Sequence, residues 1–206
     1  MSAKAKHVFF YDHEITASNP LSLACFSQWF PRSFTDPRYP SAHFLTAEHY
    51  MMHGKALLFD PPAAQAILDA PTPAEAKALG RKIRNFDRKR WDEFADDIVE
   101  RGNYFKFEED EELKGYVVTT KGKILVEASE TDRIWGIGFS AKDALGKEDR
   151  WGANRSVLPG SCILWMKAES DSAWDWLLHE LGINSSLRVG GSFDVDRLNG
   201  YIWTMP

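Results

Sequence analysis

Glu48 and Lys55 stand seven residues apart in a stretch that reads as one helix. At 3.6 residues per turn they fall about 20° from alignment, so both side chains project from one face, two turns apart. A carboxylate and an amine on one helical stripe suit proton transfer or amine chemistry. The plainer alternative is a solvated face with unrelated charges. Asp132 offers a second carboxylate, on a polar turn just ahead of Trp135-Gly136-Ile137-Gly138. Glycines there let a ligand approach the backbone closely. Brought near Glu48 by folding, Asp132 would stabilise an oxocarbenium-like cation or activate water, as cleavage of a glycosidic bond requires. The alternative is an aspartate that caps its own turn.

Other groups are candidates for binding. Residues 81–90 form a basic island of six cations (Arg81, Lys82, Arg84, Arg88, Lys89, Arg90) and one anion, Asp87. Arginine forks match phosphate oxygens, and Trp91 directly follows as a ring able to stack. A solubilising helix start, offset by the acids of 92–100, is the other reading. Asn154, in Trp151-Gly152-Ala153-Asn154-Arg155, could orient a sugar hydroxyl or a base edge, or simply occupy a left-handed loop position. His49 and His53 lie at i, i+4, a spacing that grips metal, but Glu48 precedes them rather than sitting between them and no third ligand is evident. No metal is expected. Neither Cys25 nor Cys162 has the setting of a nucleophile.

These side chains need elements to hold them. Val8 to Tyr11 reads as a buried strand, and 31–40, with three prolines, as a loop or edge hairpin. Thr46 can cap a helix through Glu48 to about Phe59, and Asp60-Pro61-Pro62 can cap one running to about Ala70. Thr72-Pro73-Ala74-Glu75 is a capping box, with Gly80 suited to the C′ position. Asp87 can cap a longer helix whose apolar face would carry Trp91, Phe94, Ile98 and Phe105. A short helix is predicted over 109–117, a strand at Ile124-Leu125-Val126, and a strand or tight loop over 134–139. Residues 140–160 read as loop, and Cys162 to Ala168 and Ala173 to Leu181 as helical. The whole is an α+β fold, rich in helix, with a few short strands.

Composition bounds the function. The chain has 206 residues, 44% apolar and 27% charged, ordinary for a globular protein. A net charge of −5, from 25 basic and 30 acidic residues, argues against uniform coating of nucleic acid. Two cysteines are too few for a disulfide scaffold. No apolar run approaches the roughly 20 residues of a membrane span, and no signal-peptide core follows the start. An intracellular protein, cytoplasmic or nuclear, is expected. Aromatic content is high at 13%, with eight tryptophans, enough to build both a core and stacking walls.

Taken together, the segments resemble the NADAR family, also called YbiA-like proteins, over about residues 8–167. The resemblance rests on ordered blocks: Phe10-Tyr11, Phe26-Ser27-Gln28-Trp29, Thr46-Ala47-Glu48-His49-Tyr50 with Lys55-Ala56, and Ala76-Lys77 with Gly80-Arg81. Phe86-Asp87 with Trp91, Lys106-Phe107, Leu125 to Ser129, Asp132 with Trp135 to Gly138, and Trp151 to Arg155 complete it. Departures occur at Gln28-Trp29, at Met52, and in the stretch from Asn154 to Gly160. The resemblance implies a helix-rich catalytic domain of the YbiA-like type over 1–168, with 169–206 as a C-terminal helix and tail packed on it. It also implies hydrolysis of an N-glycosidic bond on ribose, with no cofactor, membrane or obligate protein partner. Family substrates are ADP-ribose on the exocyclic amine of guanine, including guanine in DNA, and phosphorylated ribosylamino-pyrimidines of riboflavin synthesis. Removal of ADP-ribose from guanine is the first expectation; the pyrimidine substrate and a noncatalytic ADP-ribose reader are the alternatives. Glu48, Lys55 and Asp132 are the expected catalytic residues. Phe10, Arg81, Arg84, Trp91, Trp135, Gly136 and Asn154 are expected to bind substrate. Lys55 has two readings, an ion-pair anchor for Glu48 or an amine that forms a Schiff base with the opened sugar.

Overall fold

The computed structural model describes residues 7–11, 13, 21–156, 188–189 and 192–193. The chain divides into two compact units, 1–163 and 164–206. In the first, β1 (His7–Phe10) is followed by a 3-10 turn (Leu23–Phe26), α1 (Ala47–Phe59), a second 3-10 turn (Pro61–Ala63), α2 (Ala64–Leu68), α3 (Pro73–Gly80), α4 (Arg88–Glu108) and α5 (Glu111–Val118). Then come β2 (Ile124–Glu127), α6 (Ala141–Ala144) and a last 3-10 turn (Glu148–Arg150). In the second unit, β3 (Arg188–Val189) pairs antiparallel with β4 (Ser192–Phe193). The helices expected between 162 and 181, and the packing of the tail, lie outside the described residues.

β1 and β2 pair in parallel, with His7 opposite Ile124 and Phe10 opposite Glu127. A parallel pair needs a long crossover, and α1 to α5 supply it. Helix α1 is buried on nearly every side: Ala47 through His53, Ala56 and Phe59 are all inaccessible, as a helix surrounded by others must be. Its N-cap hydroxyl, Thr46, accepts from the His49 backbone N–H. Trp91, Ala95 and Val99 of α4 join Met51, Met52, Ala56 and Ile67 in one core cluster. Phe34, Phe44 and Tyr50 form a second.

The expected caps at Thr72 and Asp87 are present: Thr72 accepts from Glu75 N–H at 3.2 Å, and Asp87 from Arg90 N–H at 2.6 Å. Asp60 differs. It makes no side-chain cap, because both its carboxylate oxygens are taken by Arg84 at 2.9 and 2.6 Å. Gly80 ends α3 inside the helix rather than past it. It is small because Met52 lies where a Cβ would go, 2.0 Å from Sδ. The buried face of α4 runs Trp91, Ala95, Val99, Gly102, Asn103 and Lys106, while Phe94 is exposed. Small residues let α4 approach α1, so the large rings flank the seam. Residues 134–139 are irregular rather than a strand, and 31–40 form a loop whose β-pairing is one antiparallel bridge, Phe34 to Phe44, with Arg32, Thr35 and Asp36 tied to Asp110, Glu109 and Tyr50. No helix among the described residues is long and apolar enough to cross a membrane.

A Cβ on Gly102 would sit 2.7 Å from Tyr50 Cδ1. Gly102→Val therefore lowers stability by about 1–3 kcal/mol through overpacking, read as a lower urea midpoint. An unchanged midpoint would mean that α1 and α4 do not approach this closely.

Candidate active site

The segment before α1 prepares Glu48. Lys106, fully buried, donates through Nζ to the carbonyls of Cys25 and Ser27 at 3.0 and 3.1 Å. Burial pulls this amine down to about 8. The pinned segment then presents Gln28, whose carbonyl accepts the Glu48 backbone N–H at 3.0 Å. It also presents Trp29, whose indole N–H donates to Glu48 Oε2 at 3.1 Å. The Glu48 side chain is buried, with 3% of the residue exposed, and Oε1 has no hydrogen-bond partner. Burial pushes its carboxyl above the usual carboxylate range. The Lys77 cation, the Trp29 N–H and Arg81 oppose the shift, and Glu127 adds to it. At a helix start the macrodipole also favours negative charge.

Lys55 lies two turns along the same helix. Its Nζ donates to the Gly80 carbonyl at 2.8 Å and sits over the Phe86 ring at 4.4 Å and the Trp91 ring at 5.8 Å. It makes no ion pair with Glu48. Burial lowers the affinity of this amine for its proton, Glu48 opposes the shift, and Arg81 adds to it.

Asp132 caps its own turn and lines the site as well. Oδ1 accepts from the N–H groups of Ile134 and Trp135, both at 2.8 Å. Oδ2 has no hydrogen bond to any described residue. Gly136 is needed here because a Cβ would meet the Glu127 carbonyl at 2.9 Å and the Asp132 carbonyl at 3.1 Å. Arg155 lies over the Trp135 ring at 5.2 Å and is itself held by Asp96 at 2.5 Å. Asn154, at φ 52°, completes the frame. Its Oδ1 accepts from Glu127 N–H and its Nδ2 donates to the Leu125 carbonyl, both at 2.9 Å, so the side chain continues the β2 ladder.

These elements enclose a cavity of about 310 Å³. Glu48, Lys55, Asp132, Arg81, Trp91 and Trp135 all line it. Four other candidates do not. Arg84 is paired with Asp60. Gly136 is packed against backbone, and Asn154 is spent on β2. Phe10 is buried against Phe26, with ring centroids 5.7 Å apart, and lines a different cavity. Nine lining residues were not among the candidates, and Gln28, Trp29, Lys77 and Glu127 are the polar or aromatic ones that bear on the chemistry. Gln28 and Trp29 stood in a resembling block, Lys77 shares a helical face with Arg81, and Glu127 ends a strand. Burial pushes the Glu127 carboxyl upward; a Ser156 hydroxyl opposes this and Asp132 adds to it.

The histidines do not form a metal site. His49 Nε2 donates to the Ala70 carbonyl, 2.9 Å away, and Nδ1 pairs with the Thr46 hydroxyl at 2.8 Å. Burial lowers the proton affinity of the ring, the Ala70 carbonyl opposes this, and both nitrogens are used. Among the described residues no group of three or more His, Cys, Asp or Glu side chains is placed to hold a metal. The lining therefore combines a buried carboxyl of raised proton affinity, an amine of lowered proton affinity, a second carboxylate, a cationic edge at Lys77 and Arg81, and indole walls. That set can protonate a leaving amine, stabilise a sugar cation and bind a phosphate.

A family model described as the NADAR domain matches residues 9–156. The chain is 39% identical over 150 residues to "N-glycosidase R617" of Acanthamoeba polyphaga mimivirus, covering 71% of this chain and 86% of that protein. It is 32% identical over 126 residues to "Riboflavin biosynthesis protein PYRR, chloroplastic" of Zea mays, covering 56% of this chain and 20% of that one. The fold is similar to the NMR structure of the E. coli protein YbiA, with a TM-score of 0.60 and 21% identity over 90% of this chain and 94% of that one.

Burial makes Glu48 a stability liability with a definite sign. The unfolded chain releases this proton near the ordinary value of about 4.3, and the folded protein releases it at higher pH. Stability therefore falls as pH rises from the unfolded value through the folded one, and the loss is complete above it. Glu48→Gln removes that loss. Its thermal midpoint is expected to exceed the parent's at pH 8 by about 2–4 °C, the shift given by ~1 kcal/mol in a chain of this size. The gap should close toward pH 4, and equal midpoints at pH 8 would place the carboxyl in water.

Proposed function

The chain belongs to the NADAR family, and on that premise we propose that it is an N-glycosidase that hydrolyses the bond between ribose C1′ and an amine nitrogen. Its favoured substrate in this reading is ADP-ribose attached to the exocyclic amine of guanine, in DNA or nucleotides. One observation carries the chemistry: a buried carboxyl with an unpartnered oxygen shares a cavity with an amine and a second carboxylate. Departure of the amine demands a proton on nitrogen and leaves positive charge on C1′. Glu48, kept protonated by burial, is the acid. Asp132 faces the developing cation through Oδ2.

Lys55 is the nucleophile in this reading. Its hydrogen bond to Gly80 rather than to Glu48 favours an amine role over an anchoring one. Once the N-linked ribose opens to an imine, Nζ adds to C1′, the guanine amine leaves with the proton from Glu48, and a lysine imine remains. Water then hydrolyses that imine, returning the free amine and the sugar aldehyde. A neutral amine is required, and burial of Lys55 supplies it at lower pH than an exposed lysine would.

Lys77 and Arg81 would take phosphate oxygens, while Trp29, Trp91 and Trp135 wall the base and sugar. Ile134, which also lines the site, and Phe86, beneath Lys55, are both partly exposed and give a leaving group larger than a pyrimidine an apolar landing. The maize relative's name favours the second reading, a phosphorylated ribosylamino-pyrimidine.

Glu48→Gln and Asp132→Asn should each lower kcat at least about 100-fold, the low end for acid–base catalysis; a near-parental rate removes that residue from the mechanism. Release of ADP-ribose from a guanine-ADP-ribosylated oligonucleotide tests the substrate, and activity only on the pyrimidine phosphate would replace it. Borohydride added during turnover should fix the sugar to Lys55, seen by mass spectrometry. Absence of that adduct ends the covalent role.

A further inference from the structure

Three buried oxygens that line the candidate site have no hydrogen-bond partner: Gln28 Oε1, Glu48 Oε1 and Glu127 Oε2. Gln28 Oε1 is an acceptor as an amide oxygen, and a carboxyl oxygen accepts wherever it carries no proton. Buried polar atoms are normally satisfied, so three on residues around one cavity suit a ligand that brings several donors to that side. The opposite requirement holds at Lys77 and Arg81, whose cations suit anionic groups. The cavity is thus two-sided, with acceptors on one side and cations on the other.

On the proposed reading, Glu48 serves the leaving nitrogen, which leaves Gln28 and Glu127 to be satisfied. Gln28 is fixed, since its Nε2 donates to the Ser156 carbonyl at 3.0 Å and its own carbonyl holds Glu48. Glu127 is fixed by its backbone bond to Asn154 at 2.9 Å. Glu127 and Asp132 both line the cavity, and their backbone carbonyls both crowd Gly136, at 2.9 and 3.1 Å from where its Cβ would be, so the two acids are neighbours. A group beside the one facing C1′ lies next to C2′. We propose that Glu127 is a substrate-binding residue that accepts the ribose 2′-hydroxyl, with Gln28 accepting the 3′-hydroxyl, and that this pair restricts the site to ribose over 2′-deoxyribose. The inference rests on the glycosidase reading for its sugar and on the unpartnered oxygens for its acceptors.

Such a restriction has a chemical purpose. An enzyme acting at guanine in DNA is surrounded by deoxyribosyl–base bonds of the same kind it cleaves. A site built to hydrogen-bond a hydroxyl rejects the analogue that lacks it, because its buried acceptor is then left unpaired.

The test compares kcat/KM for ADP-ribosylated guanine with that for the counterpart lacking the 2-hydroxyl on the ribose joined to guanine. The parent should prefer the ribosyl substrate at least about 100-fold. In Glu127→Leu, which removes the acceptor at similar size, that ratio should fall at least tenfold, because the ribosyl rate drops more than the deoxyribosyl rate. Equal losses on both substrates would mark Glu127 as a structural support and overturn the proposal, as would equal parental rates. Calorimetric binding of ribose 5-phosphate against 2-deoxyribose 5-phosphate to the parent separates the two ideas. Tighter binding of the ribo sugar without cleavage of either substrate keeps the hydroxyl site and rejects the glycosidase reading. Equal binding rejects the hydroxyl site itself.

Discussion

Holding a carboxyl group out of water at the start of a helix is costly, and the surroundings of Glu48 show how little compensation it receives. The helix dipole and one indole N–H act on the group. Lys77 and Arg81 exert their fields without an ion pair to it. A complete partner would lower the proton affinity and leave an inert salt bridge. Partial support leaves a carboxyl that keeps its proton to higher pH and a buried oxygen without a hydrogen-bond partner. The rest of the structure serves to maintain that incompletely satisfied state, which water would otherwise relieve.

Maintenance falls to residues that hold the lining without belonging to it. Lys106 pins the backbone of 25–27 from beneath, Asn154 extends the β2 ladder, and Arg155 clamps the outer face of Trp135 between ring and carboxylates. Gly136 clears room for the Asp132 turn, and Phe10 fixes β1 through its ring and its carbonyl, which accepts Ala128 N–H at 2.8 Å. Rotamers locked in this way keep a site near one geometry.

What the sequence revealed follows the range of the interactions concerned. Glu48 and Lys55 were legible because caps and the helical period are local. At Asp132 the two competing readings describe two oxygens of one group: Oδ1 caps the turn and Oδ2 is left over. Arg84 was misjudged because its partner, Asp60, is twenty-four residues away and looked like an N-cap. Only Arg81 of the basic island lines the cavity, since Arg88 is bound to Asp92 and Arg90 covers Phe94. The face of α4 was misread by one position, because size mattered more than apolarity where Gly102 meets Tyr50. Glu127 was hidden for a different reason: which way the end of a four-residue strand points is set by its pairing with β1, more than a hundred residues earlier.

That last separation affects how the protein is made. The lining is collected from residue 27 through residue 135, and its parallel ladder cannot close until β2 exists. Contacts this distant form late, after the entropy of closing the intervening loop has been met. A chain still emerging from the ribosome therefore carries the helix with Glu48 and Lys55 long before it carries Asp132 and Trp135. Its reactive groups stay separated, and chemically idle, for most of synthesis.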